Sequence, residues 1–420
     1  EQPLPGIAGR KFYYGWVIVA VCGLTLLVTF GIRLSFTVFF VSLTEEFAWT
    51  RASTALIFSV SMIVFALTSV PVGIAMDRWG ARIVFAVGAA VLAAGLFLSS
   101  RIGSLNQLVV AYGVVAGVGI TILGLGPQAG LLAAWFRRRL GLAIGLAFAG
   151  TGLGTMILTP GVQFIINNYD WRAAYRFLAV LALCLIPLLI IFIRRNPRSI
   201  GLRLADYDAP LQDRRRIGTG DFSWTAGRAL RTRAFWLVII AALGAIGPLR
   251  MLTVHQLAVA VGAGFDTLFA ASVIGLAGAV TAVAFIFFGF ISDRIGRRKA
   301  YLIGSLCLIA AIAILASLRT PEQQHWLLLY ALMLGLGEGS RSSLVTVVAS
   351  DLFPGPALGT INSAVGAAFG AGAALFPWLA GRIFDLRGSY SAAFFIGIVV
   401  IVISTAALWL APSQRAQQET

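Results

Sequence analysis

The chain has 420 residues, of which 59% are hydrophobic and 11% charged, where soluble domains carry roughly 25% charged residues. With a mean hydropathy of +0.91, that composition excludes a soluble protein and leaves no length for a sizeable water-exposed domain. Lys and Arg number 32 against 16 Asp and Glu, a formal charge of +16, which would suit a nucleic-acid binder were the bases spread over a soluble face.

Apolar runs of bilayer length, ~20 residues each, recur along the whole chain. The first set of spans is expected at about 14–43, 52–76, 81–100, 107–135, 140–167 and 174–194. Arg10 and Lys11 precede the first run, which is far longer than a signal-peptide core and reads as a retained span. Residues 195–233 form a polar, Arg-rich stretch that reads as a linker, and the second set follows at about 234–263, 267–292, 300–318, 324–350, 357–384 and 391–412. The domains are therefore an N-terminal bundle, 1–194, a linker, 195–233, and a C-terminal bundle, 234–420.

Sorted by connection parity, 22 of the 32 bases fall on the side of the termini and linker, 7 on the other side and 3 inside spans. The positive-inside rule places both termini and the linker in the cytoplasm. The Arg surplus thus suits anionic membrane lipid and fixes topology, and nucleic acid is not the expected partner. Cys22, Cys184 and Cys307 sit in apolar runs at no metal or CxxC spacing and read as small fillers.

The halves repeat each other. Gly73, Asp77, Arg78, Gly80 and Arg82 recur 216 residues later as Gly289, Asp293, Arg294, Gly296 and Arg298. With a similar offset, Tyr112, Gly117 and Gly119 match Tyr330, Gly335 and Gly337, and Gly141 and Gly154 match Gly359 and Gly372. In each short loop the acid and base can pair while the glycines let the backbone turn, so the motif reads as a conformational latch without substrate contact. The Gly-rich fifth span, with Gly141, Gly145, Gly150, Gly152 and Gly154, reads as close-packing and gating surface.

On this GxxxDRxGxR loop, present after the second and eighth spans, the chain resembles the major facilitator superfamily. The resemblance implies an all-α membrane protein of twelve transmembrane helices in two pseudo-symmetric six-helix bundles, working by alternating access. Tyr14-Gly15-Trp16, the run Phe39 to Arg51, and Trp135-Phe136-Arg137-Arg138-Arg139 are similar to the monocarboxylate-transporter group and its bacterial relatives. The chain departs from that group's pattern in two places. Residues 267–292 hold no Arg or Lys where the group commonly has an eighth-span arginine, and Leu34 stands in place of its first-span lysine, with Arg33 beside it.

Charges inside spans cost roughly 2.5–3.5 kcal/mol each on insertion scales and are functional candidates by default. Here they are Arg33, Arg250, Glu338 and Arg341, with His255 as a titratable fifth. Arg33 and Arg250 are 217 residues apart, the repeat offset, so they are expected to face one cavity from opposite halves, as guanidinium forks for an anion. Glu338 and Arg341 are i and i+3 on one helix face and are expected to pair; Glu338 is the proton-coupling candidate, with His255 the second. Five residues after Arg250, His255 sits about 140° round the helix and does not share its face. Arg33, Arg250, Arg341, Tyr112 and Tyr330 make up the expected substrate site.

No nucleotide-binding GxxxxGK[ST], HExxH or EF-hand pattern occurs in the sequence, so the chain does not read as an enzyme, and neither a cofactor nor a metal is expected. The leading expectation is a secondary transporter of a small organic anion, a monocarboxylate moved with a proton, acting as a monomer in a bacterial inner membrane. An anion exchanger for a dicarboxylate or organophosphate is the alternative within the class, and a non-transporting membrane receptor is the reading from outside it.

Overall fold

The structure, a computed structural model, describes residues 13–136, 140–194, 226–353 and 358–411. Arg10, Lys11, Arg137 to Arg139 and most of the linker lie outside the described residues, as do the side chains of Asp77 and Asp293.

The described residues form twelve long helical spans. In the first half these are α1 (Gly15–Phe47), α2 (Arg51–Trp79), α3 (Ala81–Ser99), α4 (Leu105–Trp135), α5 (Leu140–Asn168) and α6 (Trp171–Phe192). In the second they are α7 (Arg233–Gly262), α8 (Thr267–Ile295), α9 (Arg297–Ser317), α10 (Gln324–Leu352), α11 (Leu358–Arg387) and α12 (Ser391–Leu410). Eleven are long and apolar enough to cross a membrane; α10, which carries Glu338 and Arg341, is equally long at 29 residues. The linker's last residues include a short helix, Ala226–Leu230.

Side-chain caps start the spans where the sequence offers them. Thr50, Asp170, Thr232 and Asp266 accept from the backbone N–H three residues on, of Ser53, Ala173, Phe235 and Phe269, satisfying donors that a helix start leaves free. Asp170 starts α6 at Trp171, three residues before the apolar run suggests. Two spans are less regular than expected. Ser35 interrupts α1 just after Arg33, and α4 contains a π-helical turn, Val109–Ala116, around Tyr112.

The sequence repeat is also a backbone repeat. Helices α2 and α8 both run 29 residues, and each ends on a glycine with positive φ, +80° at Gly80 and +92° at Gly296. With ψ near 150° at both, this backbone region is essentially closed to side chains, which explains why the loop motif needs its last glycine.

The halves meet along α5 with α8 and α2 with α11. A Cβ on Gly152 of α5 would lie 2.2 Å from the Gly278 carbonyl oxygen of α8, and one on Gly381 of α11 would lie 2.7 Å from Ala52 Cα of α2. Within the first half, α5 also presses on α1: a Cβ on Gly150 would lie 2.2 Å from the Gly23 carbonyl. Nearer the linker end the two halves part, and Gly145 of α5, Gly73 of α2 and Gly366 of α11 each have open space within 4 Å of a would-be Cβ. Hydrogen bonds that join the halves, from Arg51 and Ala52 to Asp385 and from Thr37 to Val254, lie at the end far from the linker.

Candidate functional site

At mid-depth three charged side chains from different helices converge. Arg250 of α7 and Glu338 of α10 pair through Nη2 and Oε1 at 2.9 Å, their side chains 13% and 14% exposed. The other carboxylate oxygen lies 3.5 Å from Thr281 Oγ1 of α8, whose hydroxyl donates to the Ala277 carbonyl at 2.9 Å. Arg33, at the end of the first segment of α1, donates from Nη2 to Met62 Sδ of α2 at 2.7 Å. Its guanidinium lies over Phe65 and Phe30, 5.4 and 5.6 Å from their ring centroids. Arg33 is within electrostatic range of Arg250, Tyr112 and Glu338.

Two donors in this cluster are buried without a partner: Arg250 Nη1 and the Tyr112 hydroxyl. Tyr112 packs against Phe36 and Tyr175, with centroids 5.2 and 6.2 Å away. An unpaired buried donor is costly; the Tyr175 hydroxyl beside Tyr112 is a further buried polar atom of this kind.

Arg341 is not part of this cluster, contrary to the expected pairing with Glu338. It is 0% exposed, lies over the Tyr301 ring, and donates to Ser305 Oγ, Ser404 Oγ and the Gly244 carbonyl, the last at 2.8 Å. The reason lies in α7. Pro248 has no N–H, so the carbonyl four residues back, that of Gly244, lacks its helical donor, and Arg341 supplies one.

Tyr330 also differs from its repeat mate. Its hydroxyl donates to Gln256 Oε1 at 2.7 Å, so it is engaged between α10 and α7 whereas Tyr112 is not. His255 faces away from Arg250, as its helical angle requires, and both ring nitrogens are engaged, with the Pro377 carbonyl and the Tyr390 hydroxyl, each at 2.9 Å. Burial raises Tyr390, in the turn before α12, to about 12, so its hydroxyl keeps its proton.

In the loop motifs, Arg294 lies over Phe290, 4.3 Å from the centroid, Arg78 over Trp79 at 6.0 Å, and Arg298 donates to the Ala411 carbonyl. The neighbouring Arg297 pairs with Asp351 of α10 at 3.1 Å. Arg82 is exposed. Sequence reasoning missed Met62, Thr281, Asp385 and Tyr390; none is a charged residue at mid-span, which is the signal that marked the other candidates.

The Major Facilitator Superfamily model matches residues 21–351 and again 279–420. The chain belongs to the major facilitator superfamily. Among curated relatives, monocarboxylate transporter 12 of Rattus norvegicus is 27% identical over 97% of this chain and 87% of its own length. Monocarboxylate transporter 11 of Mus musculus is 30% identical over 91% and 84%, and monocarboxylate transporter 2 of the same species 26% over 96% and 84%. Among solved structures, a bacterial homolog to the human lysosomal transporter Spinster, inward-facing and occupied, superposes with a TM-score of 0.70 at 15% identity over 96% of this chain and 97% of that one. A mutant of the nucleoside transporter NupG gives 0.71 at 14% over 94% and 99%. This superfamily member is an integral membrane protein that transports a small organic substrate, and it is not an enzyme.

Proposed function

We propose that the protein is a proton-coupled symporter of a small monocarboxylate, working by alternating access, with its termini and linker in the cytoplasm. The observation that carries this reading is the Arg250–Glu338 pair beside Arg33, with Arg250 Nη1 unpartnered. The names of the relatives support a monocarboxylate, and Arg-rich connections on the linker side support the orientation.

Charge balance explains why such a site suits symport. Empty, the two guanidinium groups and the Glu338 carboxylate sum to +1. With Glu338 protonated and a monocarboxylate bound between Arg33 and Arg250, the sum is again +1. Loaded and empty carriers then present the same charge to the membrane interior when they reorient. In the empty carrier Glu338 occupies Arg250 Nη2, the donor that the substrate carboxylate takes when the proton arrives. The proton also cancels the roughly 2.3 kcal/mol per 100 mV that an anion alone would face on entry.

Exchange of a dianion is the second reading, favoured by two arginines placed on opposite halves. Uptake of labelled lactate into vesicles holding the purified protein separates the two. Acceleration by an imposed pH gradient, with pyruvate competing, supports symport. Indifference to the gradient, with inhibition by succinate or glycerol phosphate after preloading, assigns exchange.

A further inference from the structure

Among the described residues, the densest polar contact between the halves lies away from the central cluster, at the far end. Arg51 and Ala52 are the first two residues of α2, and their backbone N–H groups both donate to the Asp385 carboxylate of α11, each at 2.9 Å. Thr50 takes the N–H of Ser53, so Asp385 completes the cap of a helix in the other half. The carboxylate also meets the positive end of that helix's dipole.

The Arg51 side chain grips the same partner. Its guanidinium is 3.7 Å from the Phe384 ring centroid, and Nη1 donates to the Tyr390 hydroxyl at 2.7 Å. The chemistry of the partners assigns the remaining protons. The Pro377 carbonyl can only accept, so His255 Nε2 carries the proton and Nδ1 accepts from Tyr390. The result is a one-way chain of donors, from Arg51 to Tyr390 to His255 to Pro377. Phe40 of α1 lies edge-on to the His255 ring at 4.8 Å, and Thr37 of α1 donates to the Val254 carbonyl of α7 at 3.3 Å.

The repeat supplies a weaker counterpart. At the offset of 218 residues that relates Gly154 to Gly372, the mate of Asp385 is Asn167, which contacts Thr267, the first residue of α8, at 3.3 Å. The same architectural position thus holds a charged cap on one side and a neutral contact on the other.

We propose that Asp385, Arg51, Tyr390 and His255 form the latch that holds the far end of the carrier shut, with Asp385 as a helix cap shared across the two halves. Opening that end requires α2 to leave Asp385 and Arg51 to leave Tyr390, while the Gly-lined contacts of α5 with α1 and α8 remain available for rocking. His255 acts as a neutral relay that orients the Tyr390 hydroxyl. The latch rests on the alternating-access reading but not on the identity of the substrate.

The test uses full-length chains with Cys22, Cys184 and Cys307 replaced by serine and a single reporter cysteine. Ala258→Cys lies on α7, 8% exposed, in the wall of a far-end pocket that Arg51 and Tyr390 also line, and Gly145→Cys lies on α5 towards the linker end with open space around its Cβ. Labelling by a hydrophilic maleimide is timed in purified protein. In both Asp385→Ala and Tyr390→Phe, the far-end rate should rise about tenfold and the linker-end rate should fall. The reciprocal change distinguishes opening from unfolding, which would raise both rates. Tyr390→Phe keeps every ring contact, so it decides the matter should Asp385→Ala fail to fold. An unchanged far-end rate in Tyr390→Phe, or a rise at both ends, overturns the latch. Lactate uptake is scored separately, so a wrong substrate assignment leaves this result standing.

Discussion

Glu338 Oε1 accepts from Arg250 Nη2 at 2.9 Å, which ties α10 to α7 through the one side chain on α7 that also keeps an unpartnered donor. The bond joins two helices within the second half, while Arg33 approaches from the first. An anion placed between the arginines would therefore bridge the parts that must move relative to each other.

Removing Arg250 should separate binding from folding. We expect Arg250→Ala to abolish lactate uptake and also to lower thermal stability, because Glu338 is left largely buried without its counter-ion. Arg250→Ala combined with Glu338→Gln should recover the stability and not the uptake. Thermal unfolding in detergent alongside vesicle uptake checks both, and normal uptake by Arg250→Ala would remove the cluster from the transport path.

Glu338→Gln should mimic the permanently protonated carrier. With no carboxylate to compete for Arg250 Nη2, loaded carriers should still exchange lactate across the membrane, whereas uptake driven by a pH gradient should be lost. Counterflow and gradient-driven uptake measured on the same vesicles give the two numbers. An unchanged response to the gradient would move the proton site elsewhere.

Much of this architecture is legible in the sequence because it is written in apolar run length and in a repeat. The spans and the two halves follow from those two signals. The pairing of Glu338 does not. Spacing of i and i+3 puts Glu338 and Arg341 on one face of α10, but it says nothing about which neighbouring helix each side chain meets. Arg341 turns to the Gly244 carbonyl because Pro248 sits in α7, a relation between two helices 93 residues apart in sequence. The far-end contact of Asp385 with α2 is equally invisible, since Asp385 lies at a span end where a solvated acid is unremarkable.

The Arg341 account predicts a coupling. Arg341→Met should lower stability, leaving groups such as the Gly244 carbonyl unpartnered at about 1–3 kcal/mol each. Pro248→Ala restores the helical N–H to that carbonyl, so Arg341→Met should be milder by about 1 kcal/mol or more in that background. Lactate uptake per folded molecule should survive Arg341→Met, which an arginine in contact with substrate would not allow.

Gly296 and Gly145 make the last comparison, because a Cβ meets no atom within 4 Å at either site and the space is therefore not the variable. At Gly296 the backbone has φ +92° and ψ 145°, so Gly296→Ala should cost about 1–3 kcal/mol through backbone strain alone and loosen the turn that carries Arg294 and Arg298. At Gly145 the backbone is helical, and Gly145→Ala should be neutral or stabilising by about 0.4–1 kcal/mol through the lost freedom of the unfolded chain. Opposite shifts in unfolding temperature are the expected result. Equal shifts would mean that the positive-φ turn is not what the loop motif preserves, and its two glycines would need another explanation.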